Sequence, residues 1–563
     1  MLRQVAAGLL GFALLCSGCT GQSEVAADAA PARDGGVLHL LAEAADFAHI
    51  DPQRVREPSA ANLTRLFART LTTYRQSAGA KQADLVPDLA TDLGRPTENN
   101  TIWRFTLKSG VRWQDGANVT CQDVKHGVER GFSSLLDEGA SLYPRSYLAG
   151  GAAYRGPYVG GNNGSRGLGS VRCLDLRTVE FHLSRPATDF GSVVALPVFA
   201  PVRESKDTRE EYDNQPFSNG PYQVASYGKI NGRKRLVLRR NPNWDPRTDL
   251  TRKQHPRKIV VSFGHDADTM TNRLLSDRGS YRRAVALDVT VPPRFVQQVI
   301  NDPKLSARTV TGMTSGVLYL AINSASVKAS ACRRALTLGV DKQALRTALG
   351  GAMHGDYATS ILPPTMRSGK SAGTSRRLSP DGDPDQARKL IAGNDCPEAL
   401  TLDHMDTPHH TRAADAIVEA YRRIGVSVTK NPVPGHRYLD VVTVPEKQHD
   451  LVLARWVPDL PRGAGTIPAL FDGRQIRTGA AGNVNFSLVD DDRLNRLIDK
   501  AYAEPDQDAQ QRMWEELDRK VVQMGLVAPI LFERSLQLVG SGVRETSLHP
   551  AYLGVDLSVV GVA

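Results

Sequence analysis

Residues 101–130, TIWRFTLKSGVRWQDGANVTCQDVKHGVER, pass from a two-residue period to a helical one within thirty positions. Trp103, Phe105 and Leu107 alternate with Arg104, Thr106 and Lys108, which predicts a half-buried strand stopped by Ser109-Gly110. Asp115-Gly116 makes a turn, and Thr120 caps a helix that begins near Cys121. The same switch recurs along the chain. TVEFHLSRP at 178–186, RLVLRRNPNW at 235–244, GVLYLAIN at 316–323 and DLVLARW at 450–456 read as strands. Asp341 caps DKQALRTALGG, and TRAADAIVEAYRRIGV places Ala413, Ala414, Ile417, Val418, Tyr421 and Ile424 on one helical stripe. No repeat of about 20–50 residues runs through it. The chain is mixed α/β, and 563 residues suffice for two or three lobes with separate cores.

The N-terminus sets the compartment. Arg3 precedes an apolar or small-residue run from Val5 to Leu15, shorter than the roughly 20 residues that span a bilayer but matched to a signal peptide. Cys16-Ser17-Gly18-Cys19 follows and resembles a bacterial lipobox, with Cys19 as the lipidated residue and Cys16 where leucine is usual. A CxxC redox or metal pair is the rival reading, disfavoured by its place at the end of a targeting segment. The polar residues that follow read as a flexible tether. Of six cysteines, Cys121, Cys173, Cys332 and Cys396 remain, an even number that favours disulfides in an exported chain. Three pairings are open; the sequence-local one joins Cys121 to Cys173 and Cys332 to Cys396, each worth up to about 4 kcal/mol. The net charge of +10 is scattered rather than clustered, which suits an anionic surrounding and gives no nucleic-acid stripe.

Several motifs, taken in order, resemble one family. HIDPQ at 49–53, LFARTLTTY at 66–74, LVPDLATD at 85–92, the 105–130 segment, SNGPYQV at 218–224, RRNPNWD at 239–245, ACRRALTLGVDKQAL at 331–345 and ILPP at 361–364 keep the order of the peptide-type, family 5 solute-binding lipoproteins of ABC importers. The resemblance implies a type II periplasmic-binding-protein fold, two lobes joined by a hinge, with an additional subdomain in lobe one. The implied division is a lipoprotein signal peptide at 1–18, a tether at 19–36, lobe one at 37–70, the subdomain at 71–173, lobe one again at 174–310, lobe two at 311–524 and a return to lobe one at 525–563. It further implies a monomer without cofactor, lipid-anchored outside the cytoplasm at the bacterial cell membrane, which captures short peptides and delivers them to permease subunits.

The peptide reading selects residues. An Asp in a closing cleft binds an ammonium through charge-assisted hydrogen bonds that strengthen as water leaves. Asp459 in RWVPDLPRG resembles the family's ammonium-binding aspartate, with Trp456 as a flat wall. Leu460 stands where Tyr or Trp is frequent. Arg455 and Arg462 are candidates for a carboxylate. Asn483 and Asn485 in GNVNFS are candidates for pairing with peptide amides, and Asn219 and Tyr222 in SNGPY for completing the grip from lobe one. In LDHMDTPHH at 402–410, His409 and His410 are candidates for a peptide carboxylate. Taken as a loop, His404, Asp406, His409 and His410 are also an alternative nickel or metal-chelate site. A surface sensor without transport is a further alternative. Enzyme readings fail: HExxH is absent, and GMTSG at 312–316 puts Ser315 one place too late for a nucleophile elbow.

Overall fold

The computed structural model describes residues 32–76, 83–136, 142–159, 167–230, 232–287, 289–366, 379–479 and 482–563. Cys16, Cys19, the leader and most of the tether lie outside these residues. Three main sheets organise the described residues.

A five-stranded sheet combines Val37–Leu41 with Tyr222–Ile230, Arg233–Arg240, Lys258–Ser262 and Ala284–Ala286. Its strand Val37–Leu41, between Ala284–Ala286 and Lys258–Ser262, runs parallel to both neighbours, which bring chain from beyond residue 250. A six-stranded sheet is ordered Gly355–Tyr357, Val527–Leu538, Thr309–Ile322, Leu451–Trp456, Ala399–Met405, Ser427–Val433. Apolar side chains cover both faces: Tyr319, Val452 and Trp514 belong to one core, Leu320, Leu453 and Tyr421 to the other. Burial on both faces is why these strands read as nearly unbroken apolar runs. A four-stranded sheet, Arg95–Thr97, Ile102–Thr106, Thr178–His182 and Val171–Cys173, packs Trp103, Phe105 and Phe181 against Phe190.

The helix Cys121–Arg130 starts where the sequence predicts, with a capping box between Thr120 and Asp123. Asp341 caps Lys342–Ala348, and Thr407 caps Pro408–Arg422. The sequence-local disulfides form, Cys121–Cys173 with Cα atoms 5.7 Å apart and Cys332–Cys396 with 5.4 Å.

Thr178–His182 pairs with strands on both sides, Ile102–Thr106 and Val171–Cys173. The strand Val527–Leu538 is interior to the six-stranded sheet. Period-two alternation identifies a strand but carries no information on which sheet receives it. The strands Thr309–Ile322 and Val527–Leu538 form an antiparallel ribbon between the two larger bodies. Val310 and Leu538 lie in cores beside the five-stranded sheet, whereas Val317 and Phe532 lie in a core of the six-stranded one. Pairing breaks register between Met313 and Val317, where Thr314, Ser315 and Gly316 oppose Glu533. A bulge of this kind bends a ribbon locally.

Candidate functional site

A cavity of about 470 Å³ opens beside this bulge. One side presents Pro58, Ser59, Thr290, Gln537 and Tyr552, and the other Thr314, His354, His410, Arg455, Glu533 and Arg534. Both bodies therefore contribute walls. Its size falls in the ordinary range of small-molecule sites.

Glu533 is the pivot of the polar wall. Both its carboxylate oxygens accept from Arg455, Oε1 from Nε at 2.6 Å and Oε2 from Nη2 at 2.8 Å. Gly316 makes room for this pair, since a Cβ there would fall 2.1 Å from Glu533 Oε2. Only the end of a flexible side chain blocks that methyl. Gly316→Ala is therefore expected to displace the carboxylate and cost no more than about 1 kcal/mol in urea unfolding, because the ion pair is solvent-exposed. Arg534 is held separately by Asp356, Nε to Oδ2 at 3.0 Å. Burial lowers the pKa of His410, as do nearby His404, His409 and Arg455. Burial, and then His409, lowers that of His354 despite its bond to the Gly350 carbonyl. Both rings are thus biased toward the neutral form in a cavity that already holds two guanidinium groups.

Asp459 lies at another edge of the contact between the bodies. Its carboxylate reaches solvent but stands in a crevice, where it accepts from Tyr143 Oη at 3.2 Å. Surrounding protein raises its pKa, and Tyr143 and Arg56 oppose that rise only in part. Trp456 is half-buried against the core containing Tyr319, and its Nε1 donates to Thr466 Oγ1 at 3.2 Å. Arg462 lies just beyond, close enough to Tyr74 and Asp189 to act on both electrostatically.

Other expected residues have structural employment. Tyr222 is a core side chain whose hydroxyl donates to the Pro256 carbonyl at 2.9 Å. Asn219 accepts from the Arg69 amide at 2.8 Å. Asn485 bonds Val489 and Ser487 within its own loop, and Asn483 Nδ2 donates to the Asn485 carbonyl. The metal alternative is corrected. His404 belongs to the strand Ala399–Met405 and is buried, whereas His409 and His410 occupy the first turn of the following helix. His409 Nδ1 accepts from Arg412 at 2.8 Å, His410 Nδ1 pairs with Thr407 Oγ1 at 2.7 Å, and Asp406 is exposed. Among the described residues no three His, Cys, Asp or Glu side chains converge on a metal position. Ser315 is buried, and its hydroxyl faces Thr365.

Glu533, Arg534, His354, Tyr552 and Tyr143 were not singled out from sequence. For Glu533 and Arg534 a signal exists: two adjacent charges interrupt the apolar strand VAPILFERSLQL. His354 and Tyr143 carry none, because only folding brings them to these walls.

Comparison with known proteins follows the same lines. The model of bacterial extracellular solute-binding proteins, family 5 (Middle), matches residues 84–477. The probable ABC transporter periplasmic-binding protein SapA of Escherichia coli K12 is 26% identical over 487 residues, covering 81% of this chain and 80% of SapA. The structure of clavulanic acid biosynthesis oligopeptide binding protein 2 superposes with a TM-score of 0.85 at 29% identity, covering 94% of this chain and 96% of that one. The Escherichia coli murein tripeptide binding protein MppA shares the fold, with a TM-score of 0.69 at 18% identity over 95% of this chain and 99% of its own. The architecture is thus the type II periplasmic-binding-protein fold with an added subdomain. The chain belongs to the family 5 bacterial extracellular solute-binding proteins.

Proposed function

We propose that this protein is the solute-binding component of a peptide-type ABC importer, which closes its lobes over a short peptide and presents it to permease subunits. The observation that carries this reading is the cavity walled from both bodies beside the ribbon that joins them. A site shared between two bodies binds tightly only when they are together, so ligand and closure stabilise each other. Relatives whose names state peptide binding support the solute class.

Within this reading Asp459 receives the peptide ammonium, with Trp456 beside it and Arg462 farther along the crevice. His410 and Arg455 offer a carboxylate its partners inside the cavity. The signal peptide at 1–18, lipidation at Cys19 and the tether at 19–36 place a monomer at the outer face of the membrane. The division into lobes is kept as part of this proposal, with Thr178–His182 assigned to the subdomain and Val527–Leu538 to the six-stranded sheet.

Native mass spectrometry of the chain beginning after Cys19, purified without chelators or metal columns, tests the reading. Added masses resolving into peptides of a few residues support it, whereas a sugar or a metal chelate as the bound species overturns it. His410→Ala is expected to weaken the recovered peptide about tenfold, roughly the worth of one hydrogen bond to a charged group, by titration calorimetry.

A further inference from the structure

The segment Arg185-Pro-Ala-Thr-Asp189 leaves the four-stranded sheet and lies against the body built on the six-stranded one. Three of its side chains engage that body. The Arg185 guanidinium carbon lies 3.7 Å from the ring centroid of Tyr502 across the interface and 5.4 Å from that of Tyr147 on its own side. Thr188 Oγ1 donates to the Glu504 carbonyl at 2.5 Å, at the C-terminal end of the helix that carries Tyr502. Asp189 is 1% exposed, and it feels the charge of Arg462 from the opposite body.

The opposite body answers with an apolar contact. Leu460, between Asp459 and Arg462, is 1% exposed and packs in the subdomain core with Trp103 and Phe190. Leu460 thus ties the loop that carries the ammonium-binding candidate to the subdomain, while Trp456 and Ala464 tie it to its own lobe. Tyr143 Oη on Asp459 continues the same seam.

We propose that Arg185, Thr188 and Leu460 form a clasp by which the subdomain holds the six-stranded lobe closed and fixes the Asp459 loop. This rests on the proposal that the lobes open and close around a ligand, but it concerns the closed position and not the solute. Each contact is modest: a cation–π pair, one hydrogen bond and one buried leucine. Together they bias the equilibrium toward closure without touching the cavity, and they break together when the lobes part. The charge of Arg462 acts on Asp189 across the seam and adds attraction. A subdomain employed in this way belongs to the closing apparatus.

The test is small-angle scattering of the ligand-free protein with hydrogen exchange over residues 456–462. The clasp predicts that ligand-free wild type matches the shape of this structure, in which these contacts join the two bodies. Arg185→Ala combined with Thr188→Val is expected to raise the radius of gyration and speed exchange over 456–462 at least tenfold. Arg185→Lys, which keeps the charge but loses the planar stack, falls between. Leu460→Ala, made separately, should open the protein in the same way, and circular dichroism reports whether each variant stays folded. Unchanged scattering and exchange in folded variants overturns the clasp, as does a wild type that is already open. His410→Ala serves as the control: it alters peptide binding and leaves the ligand-free shape unchanged. A protein that opens on clasp mutation but never binds peptide would retain the clasp and lose the proposed solute.

Discussion

Replacing Asp459 by asparagine is expected to weaken peptide capture about a hundredfold, the loss of a charge-assisted bond to the ammonium. Asp459 is exposed in the ligand-free protein and stands beside Tyr143, so an ammonium gains a charged partner whose attraction strengthens as closure removes water. Burial raises its pKa, with Tyr143 and Arg56 pulling the other way. A carboxylate whose pKa is higher folded than unfolded favours the fold while protonated. That contribution is lost as pH rises through the folded value. Asp459→Asn is therefore expected to gain stability relative to wild type as pH climbs from the carboxylate range to neutrality, while binding is lost. Peptide titration at pH 7 and thermal unfolding from pH 4 to 8 check both arms. Equal pH dependence of unfolding in the two proteins would show that the crevice does not perturb this group.

Asp88→Ala is expected to destabilise the protein by about 3–5 kcal/mol, the usual cost of leaving buried charge uncompensated. Asp88 Oδ1 accepts from Arg69 Nε at 2.8 Å and Oδ2 from Arg252 Nη2 at 2.8 Å, and all three are 1% exposed. Asp249 completes the quartet, 3.3 Å from Arg252 and 3.5 Å from Arg69. Burial opposes its charge, yet Arg69 and Arg252 prevail and hold its pKa well below the usual carboxylate range. Stability from Asp249 is present above the unfolded carboxylate pKa and fades only in strong acid. Without Asp88, two guanidinium groups share one carboxylate. Urea unfolding of Asp88→Ala, with Asp88→Asn as the milder change, measures the loss. A shift under about 1 kcal/mol would mean that water enters and solvates the pair.

The local elements were largely legible. Thr120, Asp341 and the alternating Trp103, Phe105 and Leu107 each did what its chemistry requires within a few residues. The helix Pro408–Arg422 buries Ala413, Ala414, Ile417 and Tyr421, as its stripe predicts. Two of the candidates named from sequence, His410 and Arg455, line the cavity. The asparagines of the 482–487 loop bond within their own loop, a use that a sequence does not distinguish from ligand binding. The LDHMDTPHH stretch misled. Its histidines are neighbours in sequence, but a strand and a helix turn direct them to different partners.

The sequence by itself determined the α/β class, the helix caps, the order of motifs that marks the family, and two candidates on the cavity wall. All of these depend on periodicity or on residues close along the chain. Only the tertiary structure decided which strands share a sheet, that Glu533 meets Arg455, that Asp88 balances arginines at 69 and 252, and that Leu460 packs in the subdomain core. Those pairings join residues tens to hundreds of positions apart. Their energy comes from removing both partners from water at one place, and no local pattern records where that place will be.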